Sequence, residues 1–249
     1  MAPLVSFESV SKHFADGGRD LVVLDRVSLT IEAGQAIGVY GQRRSGKSTL
    51  LRMAAGLVLA DSGVVRFDGR DVSTMSAGER GRLLREAIAL MSPQDWRALP
   101  GETVVDHVAT SLGSEGLTMR QARRRALQIL DQVGIGAAGA QEAASDLSMT
   151  DRTRVMLARA LAREPRLLIL DEPALMPSVG DRDRFLELLR EAVRQRGMAL
   201  LAASEEMSAL RGVGVMMCIA DGELSSSQGP GTVVNLPGRW RATAGRSVG

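Results

Sequence analysis

The feature that most constrains this chain is the nine-residue stretch GQRRSGKST, which begins at Gly41 and ends at Thr49. It matches the pattern GxxxxGKS/T of a phosphate-binding loop at every required position. The apolar run Ala36–Tyr40 precedes it, and residues 48–56 have the spacing of an amphipathic helix that ends at Gly56. The order of strand, glycine-rich loop and helix predicts an α/β fold with an anion site at the loop.

The residue types in this loop suit a nucleoside triphosphate. Gly41 and Gly46 allow the backbone to approach the phosphates, so that N–H groups and the positive end of the following helix surround the anion. Lys47 would place a compact ammonium on the β- and γ-phosphates, and the Ser48 hydroxyl would reach a Mg²⁺ ion. The alternative is a glycine loop that only turns the chain. We expect ATP and Mg²⁺ as ligands, with the nucleotide held by Gly41, Gln42, Arg43, Arg44, Ser45, Gly46, Lys47, Ser48 and Thr49.

A second part of the same site is indicated at residues 167–173, LLILDEP. A wholly apolar strand would deliver Asp171 to its carboxyl end, where the carboxylate can hold Mg²⁺ through water. Glu172 follows at the position where it can polarise an attacking water. An acidic pair that merely ends a strand at the surface is the alternative, and the phosphate loop upstream favours the nucleotide site.

Apolar strands alternate with helices over most of the chain, which predicts a mainly parallel sheet covered on both faces. We treat residues 1–249 as a single domain. Its segment of about 95–163 has helical patterns and no convincing strand, so we expect an inserted helical subdomain there. The tail of about 225–249 is rich in Ser, Gly and Pro and is expected to be loosely ordered.

Composition narrows the class of protein. The 31 basic and 29 acidic residues nearly balance, and the pI of about 9.2 reflects arginine bias, so no nucleic-acid partner is implied. A single cysteine excludes a disulfide within the chain and favours a cytoplasmic protein. No apolar stretch approaches the roughly 18 residues of a bilayer span. We therefore expect no direct membrane insertion, and any membrane association would come through a partner.

The order of four motifs resembles the ATP-binding subunit of an ATP-binding cassette (ABC) transporter. These are the phosphate loop, Gln94, the pair Leu147-Ser148 that leads into a helix at 152–161, and LLILDEP. The resemblance covers residues 4 to about 225. It implies a P-loop NTPase of the ABC type, with an antiparallel β subdomain beside the mainly parallel sheet. The segment 103–135 is also loosely similar to the lipoprotein-release and macrolide-export subgroup.

The resemblance implies a mechanism and partners as well. Two cassettes would pair head to tail, as a homodimer or a heterodimer, and Ser148 of one would contact the ATP held by the other. Phe14 would stack on adenine, although Phe14 taken alone is more often a core residue. The implied catalytic set is Glu172, Gln94 and Lys47, and the implied metal set is Ser48, Gln94 and Asp171. The partners would be transmembrane permease subunits, with the chain peripheral on the cytoplasmic face of the plasma membrane.

Four departures from the family pattern put fast hydrolysis in doubt. The family signature LSGGQ is replaced by LSMTD at 147–151, and Ser204 stands where the family has a histidine. The segment 174–178 lacks the usual aspartate, and Arg44 replaces a frequent glycine. Losing one preorganised transition-state contact typically costs on the order of 10² to 10³ in rate, and grouped losses do not simply add. We therefore expect slow turnover.

Three functions remain open from the sequence. The first is the energy-coupling ATPase of a membrane transporter. The second is a catalytically impaired, nucleotide-gated regulatory or structural subunit that pairs with a more active cassette, and the retention of Glu172 favours the first over it. The third is a soluble cassette ATPase of DNA repair or translation, which is weaker because such proteins usually carry two cassettes in one chain or long coiled-coil insertions.

Overall fold

The computed structural model describes residues 2–16, 19–172 and 178–226. The strands are β1 (Val5–Asp16), β2 (Arg19–Ile31), β3 (Ala36–Tyr40), β4 (Ser62–Phe67), β5 (Arg70–Asp71), β6 (Ile88–Met91), β7 (Leu167–Asp171), β8 (Ala199–Ser204), β9 (Val215–Ala220) and β10 (Glu223–Ser226). The α-helices are α1 (Lys47–Ala54), α2 (Ala77–Glu86), α3 (Val104–Ala109), α4 (Met119–Gln132), α5 (Met149–Ala162) and α6 (Val179–Arg196).

The strands form two sheets, which confirms the predicted fold class. The larger sheet has the order β10-β9-β3-β8-β7-β6, and every neighbouring pair in it is parallel except β9 with β10. The smaller sheet has the order β2-β1-β4-β5 and is antiparallel throughout. The chain is therefore an α/β protein with a mainly parallel sheet and an antiparallel β subdomain beside it.

Burial on both faces explains why the central strands are continuous apolar runs. In β7, Leu168 and Leu170 lie in one hydrophobic cluster with Phe185 of α6, whereas Leu167 and Ile169 lie in a second cluster with residues of α1. Successive side chains of a strand point to opposite faces, so a strand covered on both sides must be apolar at every position. The predicted parallel sheet between two helical layers follows from this pattern.

Side-chain caps begin several of the helices. Ser76 and Thr118 form complete capping boxes at the starts of α2 and α4, each with the residue three positions later. Ser148 caps α5, and its hydroxyl oxygen accepts the N–H of Asp151. Gly197 ends α6 with a φ of 61°, a left-handed conformation that glycine adopts without strain.

The predicted loose tail of about 225–249 stays a prediction, and the last strand reaches its first residues. Ser225 and Ser226 belong to β10, where they pair with Cys218 and Met217 of β9, so the ordered structure extends past residue 225. The remaining part of the predicted loose tail, 227–249, lies outside the described residues. None of the helices in the described ranges combines the length and hydrophobicity of a membrane-spanning segment.

Helices α3, α4 and α5 pack together within the segment that was predicted as a helical subdomain. Their contact is formed by buried aliphatic side chains, among them Val104, Val108, Leu130 and Leu161. In the described part of this segment the only β pairing is an isolated bridge between Thr103 and Ala143. The boundaries at about 95 and 163 stay a prediction.

A buried polar cluster lies among these helices. His107 of α3 is only 2% exposed, and its Nε2 lies 2.8 Å from a guanidinium nitrogen of Arg159 on α5. Its Nδ1 lies 2.9 Å from a carboxylate oxygen of Glu102, and its ring centroid lies 4.7 Å from that of Trp96. Because arginine can only donate, Nε2 accepts and Nδ1 carries the proton. Burial lowers the pKa of His107, and the Arg159 charge lowers it further. The hydrogen bond to Glu102 acts in the opposite direction and raises it.

This cluster predicts a pH-dependent stability. Above about pH 6.5, the ordinary pKa of histidine, His107 is neutral in both the folded and the unfolded chain. As the pH falls below that value, the unfolded chain gains a proton that folded His107 takes up only at lower pH, so the free energy of unfolding decreases. Asparagine can donate and accept but does not titrate. His107→Asn should therefore flatten the decrease in urea midpoint between about pH 7 and about pH 5.

The matched control is His13→Asn, because His13 is the other histidine of the chain and lies at the surface beside Asp61. We expect that variant to keep the wild-type slope. Equal slopes in wild type and His107→Asn would show that the buried ring does not control acid stability.

Candidate nucleotide-binding site

A cavity of about 810 Å³ opens at the carboxyl edge of the parallel strands. It brings together residues that are up to 195 positions apart in the chain, from Phe14 to Ala209. Its lining contains most of the residues that the sequence singled out, together with several that it did not. The lining residues are Phe14, Leu21, Val23, Arg43, Arg44, Ser45, Gly46, Lys47, Ser48, Thr49, Ser92, Gln94, Asp171, Glu172, Ser204, Glu205, Glu206 and Ala209.

The loop between β3 and α1 needs its glycines. A Cβ added at Gly41 would lie 2.4 Å from the carbonyl oxygen of Ile219, and one at Gly46 would lie 2.6 Å from that of Val23. Gly46 also has a φ of 102°, which side chains rarely tolerate. Neither neighbour can move aside cheaply, because both are backbone atoms. The loop can therefore pass this close to β9 and β2 only with glycine at both positions.

The start of α1 is arranged to receive an anion. Its N-cap is Gly46, which supplies no side-chain oxygen to the first-turn N–H groups, and the first turn carries no acidic residue. Such uncapped N–H groups and the positive helix end attract phosphate oxygens. Ser45 adds a buried hydroxyl oxygen that has no hydrogen-bond partner within the described part of the chain. These unmatched polar groups fit the triphosphate that the loop sequence predicts.

Lys47 is the one charged side chain that is buried in the loop. It is 6% exposed, and its ammonium donates to the carbonyl oxygens of Gly41 and Gln42, both at 2.8 Å. An ammonium has three donors, so one N–H remains for a phosphate oxygen. Gly41 and Gln42 thus form the base of the loop and do not line the cavity.

Arg43 and Arg44 line the cavity from its open side, and both are exposed. Arg44 has a φ of 66°, the left-handed region that favours glycine. Glycine would adopt this conformation without strain, so the backbone suits the glycine that the resemblance implies at this position. Both guanidinium groups are long enough to follow a phosphate chain in the cavity.

The acidic side of the cavity is formed where β7 ends. Asp171 is its last residue and is half-buried, and Glu172 follows with a φ of 51°. The Glu172 backbone N–H donates to the carbonyl of Ala203 at 2.9 Å, which anchors this turn to β8. Burial raises the pKa of the Glu172 carboxyl. Hydrogen bonds from the Ser204 hydroxyl and the Glu205 N–H, and the charge of Lys47, oppose that rise. A carboxylate with a raised pKa accepts a proton more readily, which suits a general base.

The predicted metal residues fit a hydrated Mg²⁺ ion that is shared with phosphates. Ser48 and Asp171 line the same cavity, and Gln94 lines it from the segment after β6. Within the described ranges, no group of three or more His, Cys, Asp and Glu side chains could hold an ion by itself. Magnesium commonly uses one or two protein oxygens and takes its other ligands from water and phosphate. The donor set therefore suits Mg²⁺ bound together with a nucleotide.

Phe14 lies at the mouth of the cavity with 42% of its surface exposed, so its interpretation as a core residue is wrong. The ammonium of Lys12 lies 5.3 Å from its ring centroid. An exposed ring beside a phosphate loop can stack on a base, as the resemblance implies.

Ser148 does not line this cavity. It is exposed at the start of α5, and its hydroxyl donates to the Asp151 carboxylate at 2.7 Å. The sequence also did not identify Ser92, Glu205 and Glu206 as lining residues. The last two follow β8, and the predicted parallel topology was a signal for them, because the carboxyl ends of parallel strands meet at one edge.

The comparisons with known proteins agree on one family. The family model described as "ABC transporter" matches residues 24–175. "Methionine import ATP-binding protein MetN 2" of Rhodococcus jostii is 34% identical over 99% of this chain and 71% of its own length. MetN of Rhizobium etli is 36% identical over 80% of this chain and 54% of its own length. The chain thus spans between about half and three quarters of the length of such relatives.

Solved structures with the same fold include two cassettes. The cassette MJ0796, described as dimeric and, in one structure, as bound to ADP and Pi, has a TM-score of 0.81 and 23% identity over 90% of this chain and 99% of its own. CbiO1 of Clostridium perfringens has a TM-score of 0.79 and 22% identity over 90% of this chain and 87% of its own. The comparisons do not support the loose likeness to the lipoprotein-release and macrolide-export subgroup, since the curated relatives are methionine import proteins.

The position of Lys47 predicts the effect of its removal. Lys47→Gln should weaken ATP binding by about 100-fold, because a hydrogen bond between charged groups is worth up to about 3 kcal/mol. Isothermal titration with Mg·ATP measures this. Arg52→Gln, which removes one positive charge from the exposed face of α1, should bind like wild type. An unchanged affinity in Lys47→Gln would mean that the nucleotide does not lie in this loop.

Proposed function

The chain belongs to the ABC transporter family, and from that premise we propose that it is the ATP-binding, energy-coupling subunit of a membrane transporter. It binds Mg·ATP in the cavity described above and hydrolyses it slowly. The observation that carries this proposal is the convergence of the phosphate loop, Lys47, Asp171 and Glu172 on one cavity at the carboxyl edge of the sheet. Both halves of a phosphoryl-transfer site are therefore in reach of one nucleotide.

Each residue has a defined task in this proposal. The loop amides and Lys47 hold the β- and γ-phosphates, and Phe14 stacks on the base. Ser48, Asp171 and Gln94 hold the Mg²⁺ ion, which supplies charge neutralisation at the phosphates. Glu172 accepts the proton of an attacking water. The pKa of Glu172 is raised toward neutral pH. A general base works best when its pKa lies near the working pH.

The position of Ser148 supports assembly with a second cassette. It lies outside the cavity of its own chain and is exposed, so it can contact only a nucleotide that another protomer holds. A homodimer and a heterodimer both satisfy this geometry. The transmembrane permease subunits would bring the chain to the cytoplasmic face of the plasma membrane. The names of the relatives make methionine uptake the first transport activity to test.

Slow turnover follows from the contacts of Ser148. Its only hydroxyl proton is directed at Asp151, whose charge lies where the family has a glutamine. A carboxylate at position 151 repels a neighbouring phosphate. It also accepts the Ser148 hydroxyl proton that would otherwise be donated to that phosphate. The regulatory alternative is less favoured, because Glu172 is retained in the cavity with hydrogen bonds that orient it.

Glu172→Gln tests the proposed hydrolysis. Glutamine keeps the size of the side chain but cannot accept a proton, so kcat should fall by about 100-fold or more while the affinity for ATP is kept. Steady-state phosphate release and ATP titration measure the two quantities. Glu187→Gln, at an exposed glutamate on α6, is the matched control and should turn over like wild type. Wild-type turnover in Glu172→Gln would refute the assignment of the base.

Asp151→Gln tests the reason for slow turnover. A glutamine three residues after Ser148 still forms a capping box but carries no charge. We expect kcat to rise about three- to fivefold, since exposed charge interactions are worth at most ~1 kcal/mol. Asp146→Asn removes a nearby exposed charge and should leave kcat unchanged. If both variants behaved like wild type, Asp151 would not be what slows the enzyme.

A further inference from the structure

We propose that Lys12 and Asp61 together hold the Phe14 ring at the mouth of the cavity, which makes Lys12 a positioning residue for the nucleotide base. This inference rests on the proposed function, in which Phe14 stacks on the base. The chain has only two lysines, Lys12 and Lys47. Lys47 holds the phosphate end of the nucleotide, and Lys12 would act at its base end through the ring of Phe14.

The position of the Phe14 ring explains why it needs such a contact. The ring is 42% exposed, and it lines the cavity together with Leu21, its partner across the β1–β2 pair. Leu21 is itself 53% exposed, so this neighbour encloses the ring poorly. An exposed side chain keeps much of its freedom, and ordering it when a ligand binds costs free energy. A contact that fixes the ring beforehand would therefore raise the affinity for the base.

The ammonium of Lys12 supplies that contact. Its Nζ lies 5.3 Å from the centroid of the Phe14 ring, which is within the range in which a cation is attracted to an aromatic face. Residues two positions apart in a strand share one side of it, as Lys12 and Phe14 do in β1. Phe14 lines the cavity, whereas Lys12 is absent from its lining. The ammonium thus contacts the ring from outside the cavity and leaves its cavity side open to a base.

Asp61, which directly precedes β4, fixes the ammonium in turn. Its Oδ1 accepts a hydrogen bond from Lys12 Nζ at 2.6 Å, and its Oδ2 accepts the backbone N–H of His13 at 2.7 Å. The Asp61 N–H donates to the carbonyl of Ser11 at 3.0 Å. The Lys12 side chain is only 16% exposed, so the ion pair is partly shielded from water, which strengthens it. One carboxylate therefore holds both the ammonium and the backbone next to Phe14.

An extra residue in β2 ties this end of the β1–β2 pair to the phosphate loop. The register of the pair shifts between Lys12 and His13, which leaves Val23 as an unmatched residue of β2. Such a bulge redirects the strand and its side chains. The carbonyl oxygen of Val23 would lie 2.6 Å from a Cβ at Gly46, and Val23 lines the same cavity as Phe14. The strand that carries the ring is therefore fixed relative to the phosphates, and Lys12 with Asp61 fixes the ring itself.

The first test compares Mg·ATP with inorganic tripolyphosphate, which has the phosphates but no base. In isothermal titration, Phe14→Ala should weaken ATP binding about tenfold and Lys12→Met about two- to fivefold, with tripolyphosphate binding unchanged in both. Lys12→Arg keeps a cation beside the ring and Asp61 and should bind ATP like wild type. Arg66→Met, which removes the cation of a surface pair with Glu8 on the same sheet, is the matched control and should change neither affinity.

A double variant shows whether Lys12 acts through the ring. In the Phe14→Ala background, Lys12→Met should weaken ATP binding no further, because the ring that it holds is gone. Equal losses with and without the ring would overturn the proposal, as would wild-type ATP binding in Lys12→Met or weaker tripolyphosphate binding. Wild-type ATP binding in Phe14→Ala would contradict the stacking in the proposed function, and this inference with it.

The second test needs no nucleotide. Lysine labelled with ¹³C at Cε gives two signals, because the chain has only Lys12 and Lys47. In the nucleotide-free chain, the ring of Phe14 should shift the Lys12 Cε protons upfield, and Phe14→Ala should remove that shift. Asp61→Asn should reduce it, because a neutral amide holds the ammonium over the ring less firmly. A Lys12 signal that neither variant changes would overturn the proposal.

Discussion

Backbone hydrogen bonds between β3, β8 and β7 hold the two halves of the site together. They align Tyr40 with Ser204 and Ala203 with Asp171, so the phosphate loop and the acidic pair emerge side by side. The two motifs lie more than 120 positions apart in the chain, and only the parallel register makes them neighbours. The apolar residues that bury both faces of these strands therefore determine the distance between a bound phosphate and the general base Glu172.

This arrangement buries charged groups, which costs free energy. Each buried group offsets that cost by forming hydrogen bonds. Lys47 donates to two loop carbonyls, and Glu172 accepts from Ser204 and from a backbone N–H. An unpaired charge at either position would destabilise the fold, whereas a paired one is tolerated. The same contacts that make these groups tolerable also orient them toward the cavity, so stability and function depend on the same atoms.

The sequence predicted what local patterns and motifs determine. The loop pattern located Lys47, and the wholly apolar strand located Asp171. It could not predict β10, because Ser225 and Ser226 pair with β9 through backbone groups that leave no apolar pattern. It also could not predict that Ser204 would bond to Glu172 or that His107 would bond to Arg159, since those contacts join residues 32 and 52 positions apart.

The most direct test of the central claim is a crystal structure of the chain with Mg²⁺ and a non-hydrolysable ATP analogue. The β- and γ-phosphates should lie within hydrogen-bond distance of the Lys47 ammonium and the loop amides. Glu172 should face the γ-phosphate and remain bonded to Ser204. A nucleotide bound outside the loop, or a Glu172 side chain turned away from both Ser204 and the phosphate, would contradict that claim.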